Sequence, residues 1–508
     1  MQDRLHRPHV APLELSDLVA EVQGTLHIGG RESTEIDSRL LITGITHSSS
    51  EVVHGDVFAG LPGRRLHGAS FASAAADQGA VAVLTDEEGR VEAEKSRLPV
   101  VVVPNPRSAL GPASALIYGN PGERIALAGV TGTNGKTTVT AMLVAALTAA
   151  GKATGAIGTL GVTFGGKYIS GVRTTPEAPD IQAILALMSE EGISSAVMEV
   201  SSIAVSEHRV DGLVFDVMGF TNLTQDHLDY HHDMESYFAA KAQMFGPERS
   251  RCSVICVDDE WGQRLAAQVG EVSASHGHQV VTVSASGSPA DWRITHQGMA
   301  AHITGPDEVT IEMRLPMPGA VNAANTAVAL AMAVHLGVAP GTAAGAIGQV
   351  RVPGRCEIIE APQAPLVIVD YAHTPDAISR MVHLAREAVT GRVVIVLGAG
   401  GDRDQSKRPL MGAAASMGDH VVVTDDNPRD EDPAAIRAAV IAGVTGPVDV
   451  EDIADRATAI RHAIAIASER DVVLVLGKGH ETGQQIGVQI LPFDDREIAR
   501  AALAEERT

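Results

Sequence analysis

GVTGTNGKTT, residues 129–138, lies between an apolar run, Ile125 to Ala128, and a segment of helix-forming residues. The order of strand, glycine-rich loop and helix is typical of sites that bind nucleotide phosphates, because the loop N–H groups and the positive end of the helix dipole attract anions. In such a loop the ammonium of Lys136 reaches the terminal phosphates and the hydroxyl of Thr137 can hold Mg²⁺. The strict pattern has glycine where this chain has Val130. A glycine turn that only begins a helix is therefore the alternative interpretation.

The composition indicates an α/β protein of several domains. The chain has 508 residues, and about 150 residues per domain suggests roughly three domains. Because 45% of the residues are hydrophobic but only 3% are aromatic, the cores consist of Ala, Val, Ile and Leu, as in sheets covered by helices. We expect a disordered tail over residues 1–12, a small α/β domain over 13–120, a central nucleotide-binding domain over 121–351 and a C-terminal domain over 352–508.

The charge and the cysteines limit the function classes. A formal net charge of −23 argues against nonspecific binding to nucleic acid or to anionic membranes. Met1 to Pro12 lacks the apolar region of a signal peptide, and the apolar stretch Ala320 to Val338 contains Asn and His, which argues against membrane insertion. The three cysteines form neither a metal-binding pair nor a disulfide framework. We therefore expect a cytoplasmic monomer that binds small molecules.

Polar residues follow two predicted strands of the central domain. Glu199 ends one apolar run, and Asp226 and His227 follow the strand Phe215 to Phe220. Because ligands collect at the carboxyl ends of parallel strands, these residues are candidates for binding Mg²⁺ or for positioning water. Taken singly, each is as often a helix cap or a surface residue.

Other parts of the sequence are less specific. Lys241 lies on a predicted helix and is most simply interpreted as a solvated surface lysine. Asn322 and Asn325 share one helix face, where their amides reach a nucleotide or cap the helix. Residues 250 to 315 are expected to be strands and loops, and Gly55 to Phe58 a turn.

The last part of the chain alternates apolar strands with helices. Its strands are predicted to end at Asp370, Leu397, Thr424 and Leu476. A polar, glycine-rich loop follows each end, and four such loops at one edge of a parallel sheet form a pocket. Arg403 and Arg429 suit a carboxylate, which a guanidinium holds by two hydrogen bonds, whereas Glu481 suits an ammonium. An amino acid carries both groups. No GxGxxG sequence opens the first helix, so this is not a dinucleotide site.

Six motifs together resemble the Mur ligases of peptidoglycan synthesis, and the match runs over nearly the whole chain. They are GTNGKTT (132–138), EVSS (199–202), DHLDYH (226–231), YFAAK (237–241), DYAHTPD (370–376) and DNPR (426–429). The resemblance implies an N-terminal UDP-binding domain, a central P-loop-type ATPase domain with a mostly parallel sheet and a C-terminal Rossmann-like domain for the incoming amino acid. It also implies that ATP phosphorylates the D-Glu γ-carboxylate of UDP-N-acetylmuramoyl-L-Ala-D-Glu, and that the amine of meso-2,6-diaminopimelate then forms the amide.

The resemblance assigns roles motif by motif. Lys136, Lys241 and His227 are implied to be catalytic. Mg²⁺ is implied at Thr137, Glu199, His227 and, if that lysine is carbamylated, Lys241. The implied ATP contacts are Gly132, Thr133, Asn134, Gly135, Lys136, Thr137, Thr138, Asn325, Arg355, Asp370 and His373. The implied contacts to the UDP-linked dipeptide are Ser49, Thr174, Thr175, Ser201 and Arg209. The implied contacts to diaminopimelate are Arg403, Asp426, Asn427, Arg429, Gly477 and Glu481.

The sequence departs from the family pattern in its substrate motifs. Ser48-Ser49-Ser50 stands where Asp-Ser-Arg is common, so only Ser49 carries over. Glu207 occupies a position where some members have Gln. A glutamate there would repel an anionic substrate unless it faces a donor such as Arg209.

Arg429 distinguishes the two amino acids that the family adds at this step. Diaminopimelate has a carboxylate on its far carbon that lysine lacks, and members that add lysine lack this arginine. The alternatives are a lysine-adding Mur ligase and a ligase similar to folylpolyglutamate synthase. A nucleotide-dependent switch protein is a different class, but a GTPase needs an Asn-Lys-x-Asp sequence, and no asparagine here is followed by lysine.

Overall fold

The computed structural model describes residues 7–33, 40–63, 65–171, 173–273 and 277–505. Of the predicted tail over residues 1–12, residues 1–6 lie outside that part. Residues 7–12 form no helix or strand, but the Arg7 guanidinium donates to Asp56 Oδ1 at 2.5 Å and the His9 N–H to Glu190 Oε1 at 2.5 Å. These residues are therefore bound to the body of the chain.

The N-terminal region is built on a six-stranded sheet in the order β3-β2-β8-β7-β6-β5, with β1 paired to β4 beside it. The elements are β1 (Leu13–Glu14), α1 (Leu15–Glu21), β2 (Thr25–Ile28), β3 (Arg31–Glu32), β4 (Leu41–Ile42), β5 (Gly44–Thr46), β6 (Asp56–Ala59), α2 (Ala72–Asp77), β7 (Ala82–Thr85), α3 (Glu87–Glu94), β8 (Val100–Val102) and α4 (Pro106–Ile117). The turn predicted over Gly55 to Phe58 is wrong from Asp56 onward. Strand β6 is entirely buried, because it lies between two parallel neighbours.

The central region contains an eleven-stranded sheet in the order β12-β11-β10-β13-β9-β14-β15-β16-β17-β18-β19. Its strands are β9 (Ala126–Thr131), β10 (Thr154–Gly158), β11 (Gly161–Phe164), β12 (Lys167–Ile169), β13 (Ser195–Glu199), β14 (Val217–Phe220), β15 (Cys252–Cys256), β16 (Gln279–Ser284), β17 (Trp292–Gln297), β18 (Ala300–Thr304) and β19 (Thr310–Arg314). The seven adjacent strands β10-β13-β9-β14-β15-β16-β17 run parallel across the middle of the sheet. Antiparallel hairpins, β11-β12 and β18-β19, close its two edges. The predicted mostly parallel sheet is confirmed.

The helices of this region cover both faces of the sheet. They are α5 (Lys136–Ala149), α6 (Ala178–Glu190), α7 (Ser202–Ser206), α8 (Leu228–His231), α9 (Met234–Ala242), α10 (Glu260–Ser273), α11 (Ala320–His335) and α12 (Pro340–Ile347). Helix α5 ends as the sequence predicts. Gly151 has φ +76°, and the Lys152 N–H returns to the Leu147 carbonyl at 3.1 Å, which is the Schellman arrangement of a helix C-terminus.

Residues 250 to 315 contain one element that the sequence analysis missed. They include α10 as well as the expected strands. Its buried positions include Gly262, Leu265 and Val269, which recur at the three- and four-residue spacing of an amphipathic helix. The signal was therefore present in the sequence.

The C-terminal region is a second doubly wound layer, with a six-stranded sheet in the order β20-β21-β25-β22-β23-β24 and a separate hairpin, β26-β27. Its elements are β20 (Glu357–Ile359), β21 (Leu366–Asp370), α13 (Pro375–Ala388), β22 (Val393–Leu397), α14 (Lys407–Ala415), β23 (His420–Val423), α15 (Pro433–Ile441), β24 (Asp449–Asp452), α16 (Arg456–Ala465), β25 (Val472–Leu476), β26 (Gly483–Ile486), β27 (Gln489–Pro492) and α17 (Asp495–Glu505). The four predicted strand ends are confirmed to within one residue, and these four strands are parallel.

Helix α4 of the N-terminal region meets the central region at a very close contact. A Cβ added at Gly111 would lie 2.6 Å from the backbone carbon of Asp211, and one at Gly212 would lie 2.9 Å from the backbone carbon of Gly111. Only glycine permits this approach, because real Cβ contacts are longer. In the part of the chain that the structure describes, no helix is both long and apolar enough to span a bilayer.

Candidate active site

The phosphate loop joins β9 to α5. Strand β9 continues to Thr131, so Val130 belongs to the strand, and the loop is shorter than the strict pattern requires. Gly132 and Gly135 have φ of +148° and +92°, and a Cβ on Gly135 would collide with the amide of Asn325. The first N–H groups of α5 have no acceptor within the helix. The predicted anion-binding geometry is therefore present.

The loop is held in place by the segment that follows β14. The backbone N–H of Thr133 donates to the Asn222 carbonyl at 2.9 Å, and that of Asn134 donates to Asn222 Oδ1 at 3.1 Å. The Thr221 hydroxyl donates to the Asn134 carbonyl at 2.6 Å. These contacts fix the loop conformation from within the protein.

Glu199 lies at the end of β13, beside the loop, with only 1% of its surface exposed. It accepts from Thr137 Oγ1 at 2.9 Å, from Thr159 Oγ1 at 3.0 Å and from the Thr159 N–H at 2.9 Å. A carboxylate and a hydroxyl at this distance are oxygen ligands of the kind that Mg²⁺ prefers. The structure thus joins two of the predicted metal ligands.

Lys136 and Lys241 both turn towards the loop. Lys136 Nζ donates to the carbonyls of Gly132 and Thr133 at 2.9 Å each, and Lys241 Nζ donates to the same Gly132 carbonyl at 3.0 Å. The interpretation of Lys241 as a surface lysine is wrong: it is 1% exposed and lies 4.6 Å from the centre of the Tyr237 ring. Burial, with a further contribution from Lys136, lowers the pKa of Lys241 well below its ordinary value.

Asp226 and His227 follow β14, on the same side of the sheet. His227 has φ +54°, and its N–H donates to Asp226 Oδ1 at 2.9 Å. Burial lowers the pKa of His227 to about 4, with Asp226 opposing the shift and Lys136 adding to it. At neutral pH this imidazole is uncharged, which leaves a ring nitrogen able to bind a metal ion.

A cavity of about 530 Å³ opens beside the loop, between the central and C-terminal regions. Its lining includes the predicted ATP contacts Asn134, Gly135, Thr138, Asn325, Arg355 and Asp370, together with apolar side chains such as Met317, Met381 and Leu384. An apolar cavity beside a phosphate loop suits a nucleotide base. His373 is not part of this lining.

Arg355 lies just before β20 and connects the C-terminal region to the phosphate site. Its guanidinium stacks on the Tyr371 ring at 4.2 Å and donates to Thr137 Oγ1 at 3.5 Å. Asp370 instead accepts the N–H groups of Cys356 and Ala372 at 2.7 and 2.8 Å. Its carboxylate therefore holds the loop that presents Arg355.

Four of the five residues predicted to hold the UDP-linked dipeptide lie together. Thr175 Oγ1 donates to Ser201 Oγ at 3.3 Å, the Arg209 guanidinium donates to the Thr175 carbonyl at 3.4 Å, and Thr174 Oγ1 lies 3.0 Å from Thr159 Oγ1. Ser49 lies in a turn after β5. Within the described residues, no hydrogen bond or ion pair joins it to the other four.

Glu207 has different partners from the one expected. Its carboxylate pairs with Arg107 Nε at 3.1 Å and accepts from the Tyr230 hydroxyl at 2.7 Å, whereas Arg209 Nε lies 3.0 Å from Glu177. Arg107 lies on α4, so this ion pair joins the N-terminal region to the central region. The donor that offsets Glu207 is therefore Arg107.

The four C-terminal loops meet at one edge of their sheet, and an unpredicted lysine lies at their centre. Lys478 is 0% exposed, and its Nζ donates to Asn427 Oδ1 at 3.0 Å, to Glu481 at 3.1 Å and to Asp426 at 3.4 Å. Asn427 Nδ2 also donates to Glu481, at 2.8 Å. Glu481 thus already faces one ammonium. Gly477, before the lysine, has φ +115°.

Arg403 and Arg429 both approach Gly400. A Cβ added at Gly400 would be 3.0 Å from Arg429 Nη1 and 3.7 Å from Arg403 Cγ. Arg429 donates to the Gly401 carbonyl at 2.5 Å, and its backbone pairs with Gln485 and Gly487 of the β26-β27 hairpin. Arg429 and the side-chain stem of Arg403 therefore lie close to each other beside Gly400.

Three family models cover most of the chain: "Mur ligase family, catalytic domain" at residues 41–118, "Mur ligase middle domain" at 130–333 and "Mur ligase, glutamate ligase domain" at 354–479. The UDP-N-acetylmuramoyl-L-alanyl-D-glutamate--2,6-diaminopimelate ligase of Streptomyces avermitilis is 44% identical over 98% of this chain and 97% of its own length. The chain belongs to the Mur ligase family. The corresponding enzyme of Corynebacterium glutamicum is 44% identical over 90% of this chain and 91% of its own.

Solved structures agree with this assignment. The structure of a UDP-N-acetylmuramoyl-L-alanyl-D-glutamate--2,6-diaminopimelate ligase superposes on this Mur ligase with a TM-score of 0.68 and 26% identity. The match covers 98% of this chain and 100% of the other. The MurF ligase of Thermotoga maritima, in complex with ADP, covers 92% of this chain and 100% of its own, with a TM-score of 0.64 at 19% identity. The second likeness concerns the fold alone.

Several contacts of this Mur ligase were absent from the sequence interpretation. Thr159, Asn222 and Lys478 each contact a predicted site residue from a distant part of the chain, and Arg107 contacts Glu207, which departs from the family pattern. For Lys478 a signal existed, because the lysine lies within a glycine-flanked loop at a predicted strand end. The others lack any local pattern.

Proposed function

We propose that this protein is an ATP-dependent, ADP-forming ligase that adds meso-2,6-diaminopimelate to UDP-N-acetylmuramoyl-L-Ala-D-Glu in peptidoglycan synthesis. The observation that carries the proposal is the pair Arg403 and Arg429 beside Gly400, at the same sheet edge as Glu481. These groups match the charges of an amino acid that has a second carboxylate. The similarity to ligases named for this reaction, over nearly the full chain, supports it.

In the proposed reaction an oxygen of the D-Glu γ-carboxylate attacks the γ-phosphorus of ATP, ADP leaves, and the amine then displaces phosphate from the acyl carbon and loses a proton. A carboxylate is a poor acyl donor, so this activation is required. The N–H groups at the start of α5 and the Lys136 ammonium offset the charge of the transferring phosphoryl group. Arg355 adds a further cation beside Thr137.

Mg²⁺ would be held by Thr137 and Glu199, which already touch, and by the neutral imidazole of His227. Bound Mg²⁺ supplies positive charge at the transferring phosphoryl group. Lys241 as a cation would repel the ion, but its buried, pKa-lowered amine favours carbamylation, which turns the side chain into an oxygen ligand. We assign Lys241 this role.

The UDP-linked dipeptide and diaminopimelate would meet beside the phosphate loop. We place the UDP-linked dipeptide on Ser49, Thr174, Thr175, Ser201 and Arg209, and diaminopimelate on Arg403, Asp426, Asn427, Arg429, Gly477 and Glu481. ATP would occupy the loop and the adjoining cavity, with His373 near its phosphates. The corresponding division of the chain is a UDP-binding domain over 13–120, an ATPase domain over 121–351 and an amino-acid-binding domain over 352–508, in a cytoplasmic monomer.

The test is phosphate release from ATP and Mg²⁺ with UDP-N-acetylmuramoyl-L-Ala-D-Glu, with meso-diaminopimelate or L-lysine added in parallel. We expect phosphate and ligated product, identified by mass, with diaminopimelate alone. Product with lysine alone would overturn the amino-acid assignment and leave the ligase assignment intact. No product in either tube, with turnover of a folate and glutamate, would overturn both.

A further inference from the structure

We propose a binding site for a first-row transition-metal ion, of the Zn²⁺ class, at His420, Glu451 and His462. Glu451 Oε1 lies 2.8 Å from His420 Nε2 and 2.9 Å from His462 Nε2. Within the described part of the chain, this is the one group of three His, Cys, Asp or Glu side chains whose ligand atoms all lie within 4.8 Å of one another. No assigned function uses these residues.

The ligand types fit such an ion. Two imidazoles and a carboxylate are typical zinc ligands, and three protein ligands leave a fourth position for water. Zinc bonds of about 2.0–2.2 Å in tetrahedral geometry place ligand atoms roughly 3.3 Å apart, so the cluster must open by about half an ångström. Glu451 can make this movement because its side chain is 39% exposed and it lies on β24, the edge strand of the sheet.

The charges around the cluster also favour a cation. The Glu451 carboxylate lies between the two imidazoles and supplies a negative charge that attracts a cation. Asp449, on the same strand, places Oδ2 3.9 Å from Nδ1 of His420, the ring nitrogen that faces away from Glu451. At this distance Asp449 adds negative charge near the ring without a hydrogen bond, on the side where a ligating imidazole commonly has a carboxylate as its outer partner.

The site lies at the end of the C-terminal sheet opposite the substrate loops. His420 is the first residue of β23 and pairs with Asp449, the first residue of β24, whereas the loops of the active site follow the carboxyl ends of their strands. His462 lies on α16. The first residue of that helix, Arg456, is 0% exposed in its side chain, pairs with Asp495 and donates to the Leu476 carbonyl at 2.9 Å. A metal ion at His462 would therefore hold a helix that touches the end of β25.

The experiment is Zn²⁺ binding to metal-stripped full-length protein, measured by calorimetry and by metal content after gel filtration. Excess Mg²⁺ and ADP keep the active site occupied. We compare wild type with His462→Ala, Glu451→Gln and His302→Ala. The last is the matched control, because His302 pairs with Glu312 at 2.6 Å on an exposed hairpin and, among the described residues, belongs to no group of three ligands.

We expect wild type and His302→Ala to bind one more equivalent of Zn²⁺ than His462→Ala and Glu451→Gln, or to bind it at least about tenfold more tightly. Zn²⁺ should also raise the thermal midpoint of the first two proteins and not of the others. Equal Zn²⁺ binding by all four proteins would show that the cluster is held by hydrogen bonds alone, which would overturn the proposal. Glu451→Gln changes only one atom of the carboxylate, so it tests the site even if His462→Ala does not fold.

Discussion

Replacing Arg429 with alanine should raise the KM for diaminopimelate by about 10- to 150-fold. The guanidinium already gives one N–H to the Gly401 carbonyl, and its remaining donors are available to the far carboxylate of the substrate. A hydrogen bond to a charged group is worth about 1.5–3 kcal/mol, and about 1.4 kcal/mol corresponds to one factor of ten. The fold-change follows from that single interaction.

The substitution should leave the fold intact. Residue 429 has φ +53°, and alanine tolerates this conformation no worse than arginine, since both carry a Cβ. The backbone contacts to Gln485 and Gly487 do not involve the side chain. The thermal midpoint should therefore stay close to that of wild type, and the loss should appear in substrate binding.

The assay is the initial rate of ADP formation over a range of diaminopimelate concentrations, with ATP and UDP-linked dipeptide saturating. Arg429→Lys keeps the charge but not the planar fork, so its KM should lie between those of wild type and the alanine variant. Arg461→Ala is the control, because Arg461 lies on α16 and pairs with Glu505 of α17, outside the four loops that form the pocket. An unchanged KM in Arg429→Ala, or an equal rise in Arg461→Ala, would refute the assignment.

Three further predictions concern buried groups. Lys478→Met should destabilise the protein by about 3 kcal/mol, because it leaves the buried carboxylate of Asp426 without its cation; an unchanged urea midpoint would argue against that role. With ¹³C-labelled CO₂, wild type should show a carbamate carbon signal that Lys241→Arg lacks, since a guanidinium does not form one, and its absence from wild type would contradict the role of Lys241. Burial raises the pKa of Cys252, Cys256 and Cys356 to about 12 each, so at pH 8 these thiols stay protonated and should react with a disulfide reagent only after unfolding. Rapid reaction of the native protein would contradict this.

Local patterns predicted the parts of the site that depend on neighbouring residues. The phosphate loop, the strand ends and the placement of Glu199 and His227 at one sheet edge all follow from hydrophobic runs and from the geometry of parallel sheets. The helix α10 was missed although its apolar spacing was present in the sequence. In that case the residues carried the signal and the interpretation overlooked it.

The remaining features depend on contacts between distant residues. The surroundings of Lys241 could not be predicted, because its acceptor, the Gly132 carbonyl, is 109 positions away. For Glu207 the sequence offered Arg209 as an example of a donor, whereas the ion pair in the structure is with Arg107 from another region. A charged side chain reaches whatever the tertiary fold brings near it, and the sequence pattern does not encode that choice.

The contact between Gly111 and Gly212 determines where this molecule can bend. Two backbones that touch without intervening side chains cannot slide past each other, and Arg107 ties the same helix to Glu177 and Glu207. These contacts therefore couple the N-terminal region to the central region. The central and C-terminal regions meet on the other side of the ATP cavity, where Arg355 and the C-terminal loops face the phosphate loop. We therefore expect any closure around ATP to move the C-terminal region against the other two regions, with the change of backbone angle before β20.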